Sequence, residues 1–160
     1  MSDFYIRKAT ESDTQLILDF ITKLAVYEKM EDQVVATVQT LKEQIFDKKI
    51  AQVIFAVEDG NEVGFALYFY NFSTFLGKSG IYLEDLFVNP ESRGKGYGKA
   101  LLSALAKVAI DGGCERLEWC CLNWNKPSID FYLSLGAEKK TEWTTFRLSG
   151  KELVELATTK

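Results

Sequence analysis

Three alternating glycines in the stretch RGKGYGK, residues 93–99, have the spacing of a phosphate-binding turn. Glycine lets the backbone approach an anion closely, and an apolar helical pattern begins directly after the turn. The amino end of a helix offers unpaired N–H groups and the positive end of the helix dipole, which together bind anions. Basic side chains in the same stretch add positive charge: Arg93, Lys95 and Lys99. The stretch therefore predicts a phosphate-containing ligand, the alternative being a glycine-rich surface turn without one.

Two common phosphate motifs do not fit this stretch. A P-loop needs a hydroxyl after its Gly-Lys pair and a glycine five positions before that pair's glycine. Here Ala100 follows Gly98-Lys99, and Arg93 stands in the place of the first glycine. The dinucleotide fingerprint G-x-G-x-x-G would place its last glycine where Lys99 stands. Nucleoside triphosphates and dinucleotides are thereby excluded, and another phosphate compound is favoured.

A pair of carboxylates lies inside the apolar segment GIYLEDLFV, residues 80–88. Buried carboxylates are costly unless they are paired or functional, so Glu84 and Asp85 are candidates for proton transfer or cation binding. The alternative is an ion pair or hydrogen bond at the end of the strand. Regular alternation predicts one face with Tyr82, Glu84 and Leu86 and another with Leu83, Asp85 and Phe87. A β-bulge would redirect one of the two carboxylates.

The composition narrows the chemistry further. The chain has no histidine, which excludes Ser-His-Asp and Cys-His nucleophiles and histidine-containing zinc sites. We therefore expect no metal, and proton transfer by Glu, Asp, Tyr, Lys, Cys or water. Three cysteines, two of them adjacent, do not form a disulfide framework.

Charge and hydropathy restrict the partners. A net charge of −4 favours a cationic partner and argues against nucleic acid. No apolar run reaches the ~20 residues of a membrane span, so we expect no membrane partner. The start, MSDFYIRKAT, lacks the pattern of a secretory signal, which predicts a cytoplasmic protein.

The surrounding pattern predicts one α/β domain over residues 1–160 with a mixed sheet. Asp59-Gly60 is predicted to form a type I′ hairpin turn. Apolar alternation and runs predict strands at 3–8, 52–58, 63–72, 80–88, 116–122 and 142–148. Helical periodicity predicts helices at 16–24, 37–47, 98–110, from about Pro127 to Gly136, and at 150–157.

Three segments of this sequence resemble the GCN5-related N-acetyltransferases, the GNAT superfamily. RGKGYG is similar to the superfamily's R/Q-x-x-G-x-G/A signature, and IRKATESD to the opening of its domain. NWNKPSIDFYLSLGA is similar to its late N-x-x-(S/A)-x-x-(F/L)-Y segment. LAVYEKMEDQV, LEDLFV and WNKPSIDFY resemble most closely its diamine, polyamine and thialysine acetyltransferases. Residues 138–146 match poorly, and the chain between Glu58 and Gly64 is shorter than in the animal polyamine enzymes, which favours a bacterial or broad-specificity diamine enzyme.

The resemblance implies a GNAT fold, with splayed central strands, that binds acetyl-CoA. The backbone of Leu86, Phe87 and Val88 would pair with the pantetheine arm. The pyrophosphate would bind at Arg93, Gly94, Lys95, Gly96, Tyr97, Gly98 and Lys99. The other side of the donor would contact Asn125, Lys126, Pro127, Ser128 and Tyr132. Tyr132 would protonate the departing thiolate, and Glu84 would act as the base, directly or through water.

The same resemblance implies a homodimer and an acceptor that is a small cationic primary amine, acetylated by direct attack in a ternary complex. The expected acceptor contacts are Tyr27, Glu28, Glu84, Asp85, Glu118, Trp119 and Cys120. Trp143 is a further candidate for a cation–π contact. Two alternatives stay open: acetylation of a protein lysine or N-terminal amine on the same fold, and a non-catalytic acyl-CoA-binding module. A long open groove beside Glu84 would favour a peptide, and a closed acidic pocket a polyamine.

Overall fold

A computed structural model of the chain describes residues 2–160. Its contacts divide into two compact units, one ending at Leu122 and the other spanning Asn123–Lys160. Each unit is described separately below. The single domain over residues 1–160 stays a prediction.

The first unit contains a five-stranded mixed sheet with the strands in chain order. The strands are β1 Phe4–Lys8, β2 Gln52–Glu58, β3 Asn61–Ser73, β4 Lys78–Val88 and β5 Leu117–Trp119. The first four pair antiparallel, and β5 pairs parallel to β4. The turn between β2 and β3 has φ values of 50° at Asp59 and 81° at Gly60. Positive φ at both positions is the type I′ geometry, so the predicted turn is confirmed.

Helices cover both faces of this sheet. They are α1 Thr14–Tyr27, the short α2 Val38–Leu41 that continues as a π-helical stretch over Lys42–Asp47, and α3 Tyr97–Asp111. The inner stripe of α1, with Ile17 and Phe20, packs on alternate residues of β2, β3 and β4. The buried stripe of α3 includes Leu101 and Leu105 and does not belong to that cluster. The predicted helices of this unit are confirmed.

Strand β5 is shorter than predicted and diverges from β4. Only three residue pairs join them, from Ile81–Leu117 to Leu83–Trp119. Beyond Leu83, β4 continues to Val88, but β5 ends at Trp119 rather than reaching Leu122. From Glu84 onward, β4 therefore makes no ladder pairs with β5. This separation agrees with the splayed central strands that were predicted.

The second unit contains two helices, α4 Lys126–Ser134 and α5 Gly150–Ala157, both near their predicted positions. The strand predicted at 142–148 is wrong, because these residues form neither a strand nor a helix. The side chains that produced its apolar pattern are exposed, Trp143 to 74% and Phe146 to 90%. Apolar alternation becomes a strand only where a neighbouring backbone completes its hydrogen bonds.

Candidate active site

The glycine-rich stretch forms a tight turn at the start of α3. Gly94 and Gly96 have φ values of 81° and 86°, a region that favours glycine. The first bond of the helix joins the Ala100 N–H to the Gly96 carbonyl at 3.0 Å. The N–H groups of Tyr97, Gly98 and Lys99 precede it and have no acceptor one turn earlier in the helix. This geometry fits the predicted anion site.

Two side chains of the turn attach it to the sheet. Lys95 Nζ lies 3.2 Å from both carboxylate oxygens of Glu58. The Tyr97 hydroxyl donates to the same carboxylate, and its ring stacks on Phe4 with 4.2 Å between centroids. The Tyr97 hydrogen bond, followed by that of Lys95, lowers the pKa of Glu58. Both side chains hold the start of α3 against the β1–β2 edge, a positioning role that sequence reasoning missed.

Arg93 joins the end of β4 to α1. Its Nε donates to the Val88 carbonyl at 2.9 Å, and its guanidinium carbon lies 5.2 Å from the ring centroids of Tyr27 and Phe87. Lys99, by contrast, is exposed on the outer side of the first turn of α3. Tyr27, predicted to contact the amine substrate, therefore makes a cation–π contact with Arg93, which is predicted to contact acetyl-CoA.

One of the two neighbouring carboxylates of β4, Glu84, is the extra residue of a β-bulge. Leu67 of β3 pairs with Asp85, and the next residue, Tyr68, pairs with Leu83, so Glu84 has no partner in the ladder. The extra residue places Tyr82 on the same face as Asp85 and Phe87. The predicted regular alternation, which grouped Tyr82 with Glu84, is therefore wrong. The bulge leaves Glu84 exposed and Asp85 half-buried beside the α1 face of the core.

Three carboxylates lie close enough to perturb one another at this point. Burial, then repulsion from Glu84 and from Glu28, raises the pKa of Asp85 to about 7. Burial and the charge of Glu84 also raise the pKa of Glu28, which caps the end of α1. The cluster of Glu28, Glu84 and Asp85, named here the acidic cluster, is an environment that a bound cation would stabilise.

The neighbouring groups come from β4, from β5 and from the residue that follows β5. Tyr82 donates from its hydroxyl to Cys120 Sγ at 3.0 Å, and burial followed by this bond raises the pKa of Tyr82. The carboxylate of Glu118 already has partners, Arg116 Nε at 3.1 Å and Asn71 Nδ2 at 3.3 Å. Trp119 pairs with β4 in the sheet ladder. The sequence did not predict that Tyr82 shares a sheet face with Asp85, because only the bulge places both residues on that face.

A cleft lies beside the acidic cluster, between α1 and the end of β4. Its volume is about 510 Å³. Phe87 and Tyr27 form apolar walls, and Lys23 and Arg93 supply positive charge. The remaining lining residues are Thr22, Val26, Asn89, Pro90 and Glu91. Sequence reasoning did not single out Lys23, since a lone lysine on a helix is usually a solvated surface residue.

The late motif forms the start of α4 in the second unit. Asn125 caps this helix, its side-chain oxygen accepting from the Ser128 N–H at 3.4 Å, and Pro127 occupies the first turn. Lys126 pairs with Asp130 at 2.6 Å. The Tyr132 ring is half-buried, 5.5 Å from the centroid of Phe131. Capping and packing explain these residues locally, and their donor contacts stay predictions.

The family model named "Acetyltransferase (GNAT) family" matches residues 19–137. The chain belongs to the GNAT acetyltransferase family. Thialysine N-epsilon-acetyltransferase of Bos taurus is 38% identical over 98% of this chain and 99% of its own length. The L-ornithine N5-acetyltransferase of Arabidopsis thaliana is 31% identical over 92% of this chain and 85% of its own. An integron cassette protein from the mobile metagenome of V. cholerae has a similar structure, with a TM-score of 0.81, 31% identity and 98% coverage of both chains.

Family membership makes this GNAT protein an N-acetyltransferase, and enzymes of the family use acetyl-CoA as the acetyl donor. Within residues 2–160, no group of three or more histidine, cysteine or carboxylate side chains could hold a metal ion. Over the same residues, no helix combines the length and apolar character needed to cross a membrane.

Replacing Asp85 of this GNAT enzyme with asparagine is expected to stabilise the fold at about pH 8, on the order of 2 kcal/mol. The native pKa of about 7 lies above the ordinary 3.8, so the folded chain keeps a proton that the unfolded chain releases. The stability from this proton is complete below about pH 4 and is lost as the pH rises through about 7.

Asparagine imitates the protonated side chain at every pH. Urea unfolding of wild type and Asp85→Asn should therefore give a difference in the free energy of unfolding that is small below about pH 4 and largest at about pH 8. A difference that does not change with pH would show that folding does not raise the pKa of Asp85.

Proposed function

We propose that this enzyme acetylates a primary amine of a small acceptor that carries at least one further charged group, a diamine, polyamine or thialysine-like amino acid. The observation that carries the proposal is the acidic cluster, in which burial and mutual repulsion leave Glu28 and Asp85 with raised pKa values. A bound ammonium would relieve that repulsion. The names of the bovine and Arabidopsis relatives, which refer to thialysine and L-ornithine, support the same class of acceptor.

The donor is proposed to bind along β4 and the glycine turn. The backbone from Leu86 to Val88 lies beyond the last pair between β4 and β5, and such a strand edge can pair with an extended pantetheine arm. The N–H groups that open α3 suit the pyrophosphate. By the family resemblance, Asn125, Lys126, Pro127 and Ser128 would line the other side of the donor.

Two residues of the chain, Glu84 and Tyr132, are proposed to carry out the proton transfers. Glu84 takes a proton from the acceptor ammonium, directly or through water, so that the amine can attack the thioester carbonyl. Tyr132 gives a proton to the sulfur as the carbon–sulfur bond breaks. The nitrogen loses a second proton when the amide forms, which balances the proton that Tyr132 supplies, so one proton is released overall and the transfer is written without a metal or a covalent intermediate on the enzyme. The chain has no histidine to activate one of its cysteines as a nucleophile.

A panel of amines with acetyl-CoA tests the proposal. Purified enzyme should release free coenzyme A with diamines, polyamines or ornithine-like amino acids, and mass spectrometry should find one added acetyl group. Turnover only with lysine peptides or N-terminal peptides would favour the protein acetyltransferase instead. A rise in melting temperature with acetyl-CoA but no turnover with any amine would favour a non-catalytic binding module.

We also propose, from the family resemblance, that the enzyme is a homodimer. Its three cysteines carry free thiols, which suits the reducing cytoplasm that we propose as its location. Light scattering of the purified enzyme at micromolar concentration should give twice the chain mass of 18.1 kDa. A mass equal to one chain would contradict the dimer.

A further inference from the structure

The cleft between α1 and the end of β4 has a charge opposite to that of the acidic cluster beside it. Lys23 and Arg93 lie on its lining and Glu91 is the one carboxylate among its lining residues, which leaves a net positive charge of one. A cation acceptor alone would not need this end of the groove. A ligand that carries an anionic group as well as an ammonium would use both ends.

Two elements connect the cleft to the acidic cluster. Tyr27 lines the cleft, and the next residue, Glu28, belongs to the cluster. On β4, Phe87 lines the cleft and shares a sheet face with Asp85, which lies about 7 Å away along the strand. The cleft and Asp85 of the cluster therefore lie on the same side of the sheet, the side that α1 covers, and a short amino-acid side chain could span the distance between them.

Lys23 is held at the cationic end. Its Nζ donates to Asn89 Oδ1 at 3.3 Å and lies 5.1 Å from the ring centroid of Phe20. Asn89 is itself buried, with 8% of its surface exposed. A buried amide that accepts from Lys23 has its own NH₂ group available as a further donor to an anion. Lys23 and Asn89 together form a donor pair suited to a carboxylate.

We infer that Lys23 recognises the α-carboxylate of an amino-acid acceptor, while the side-chain ammonium of that acceptor lies at the acidic cluster. This inference rests on the proposed function and adds to it a specificity residue. Lys23 makes the enzyme prefer an ω-amino acid over the bare diamine of the same chain length. Arg93 contributes charge to the same end, but its Nε is committed to the Val88 carbonyl.

A phosphate of the donor is the other anion that this end could accept. The two sources predict different kinetics. A carboxylate contact affects only acceptors that carry a carboxylate, whereas a phosphate contact affects the KM of acetyl-CoA with every acceptor.

The test compares L-ornithine with putrescine, which is ornithine without its carboxylate, in wild type and Lys23→Gln. We expect the ratio of kcat/KM for ornithine to that for putrescine to fall about tenfold in the variant, because a charge-assisted contact is lost for ornithine alone. The kcat/KM for putrescine and the KM of acetyl-CoA should stay within about twofold of wild type. Lys107→Gln, the same change at an exposed site on α3, is the matched control and should leave the ratio unchanged.

Calorimetric binding of ornithine and putrescine in the presence of coenzyme A provides a readout that does not need turnover. Tighter binding of ornithine by wild type, lost in Lys23→Gln, supports the inference even if neither amine is acetylated, a result that would refute only the proposed function. An unchanged ratio in both assays overturns the role of Lys23. A raised KM of acetyl-CoA with both acceptors also overturns it and assigns the cleft to the donor.

Discussion

Replacing Tyr132 with phenylalanine is expected to lower kcat by about 100-fold, the smaller end of the range for losing a general acid. The variant keeps the aromatic ring and its packing beside Phe131 in α4 and removes only the hydroxyl. The thiolate would then have to leave without a proton from the enzyme. Steady-state kinetics with acetyl-CoA and the best amine of the panel measures the change, and the KM of acetyl-CoA should move little.

The Tyr132 prediction has a matched control and a clear contrary outcome. Tyr70→Phe removes a hydroxyl from a half-exposed tyrosine of β3 and should keep wild-type kcat. An acetyl thioester with a more acidic thiol should reduce the defect of Tyr132→Phe, because a better leaving group needs less help from an acid. If Tyr132→Phe keeps the wild-type kcat, Tyr132 is a packed aromatic residue and the acid must be sought elsewhere.

Replacing Glu84 with glutamine is expected to lower kcat/KM for the acceptor by about 100-fold near neutral pH, where almost all of a primary amine is protonated. Glutamine has nearly the same size, so the bulge and the exposed position of residue 84 should be kept. The defect should shrink as the pH rises toward about 10, because the free amine then forms without a base. A pH–rate profile of both proteins measures this convergence.

The alternative for Glu84 is a purely electrostatic contact with the acceptor. That role predicts a higher KM with an unchanged kcat and a defect that does not shrink with pH. Asp85→Asn provides the comparison, because Asp85 is the half-buried member of the pair and is proposed to bind rather than to transfer the proton. Similar kinetic profiles for the two variants would contradict the assignment of Glu84 as the base.

The sequence predicted those parts of the fold that local chemistry determines. Asp59-Gly60 adopts the positive φ values of a type I′ turn because aspartate and glycine tolerate that region, and this turn fixes the β2–β3 pairing. The stripe that includes Ile17 and Phe20 repeats with helical spacing and is buried as expected. The glycine turn before α3 was also predictable, since glycine adopts the positive φ values of Gly94 and Gly96 that most other residues avoid.

The sequence could not predict features that depend on distant partners. A strand was expected at 142–148 from apolar alternation. That pattern does not show whether another strand lies alongside to complete the backbone hydrogen bonds. The length of β5 is likewise set by where β4 diverges, and not by the residues 120–122 that were expected to extend it. The sequence could not indicate a role for Lys23, because its partner Asn89 and the β4 side of the cleft lie far from it along the chain.

The bulge makes Glu84 an extra residue of β4, which the pairing of β4 with β3 does not require. A substitution at Glu84 alters one side chain, but a deletion of this residue would return β4 to regular alternation. Every existing pair of β4 with β3 would be kept, because Glu84 has no partner, so Tyr82 would stay opposite Phe69 and close to Cys120. The proposed base is thus an insertion in the strand, and its deletion would remove the carboxylate without turning any other side chain of β4 to the other face.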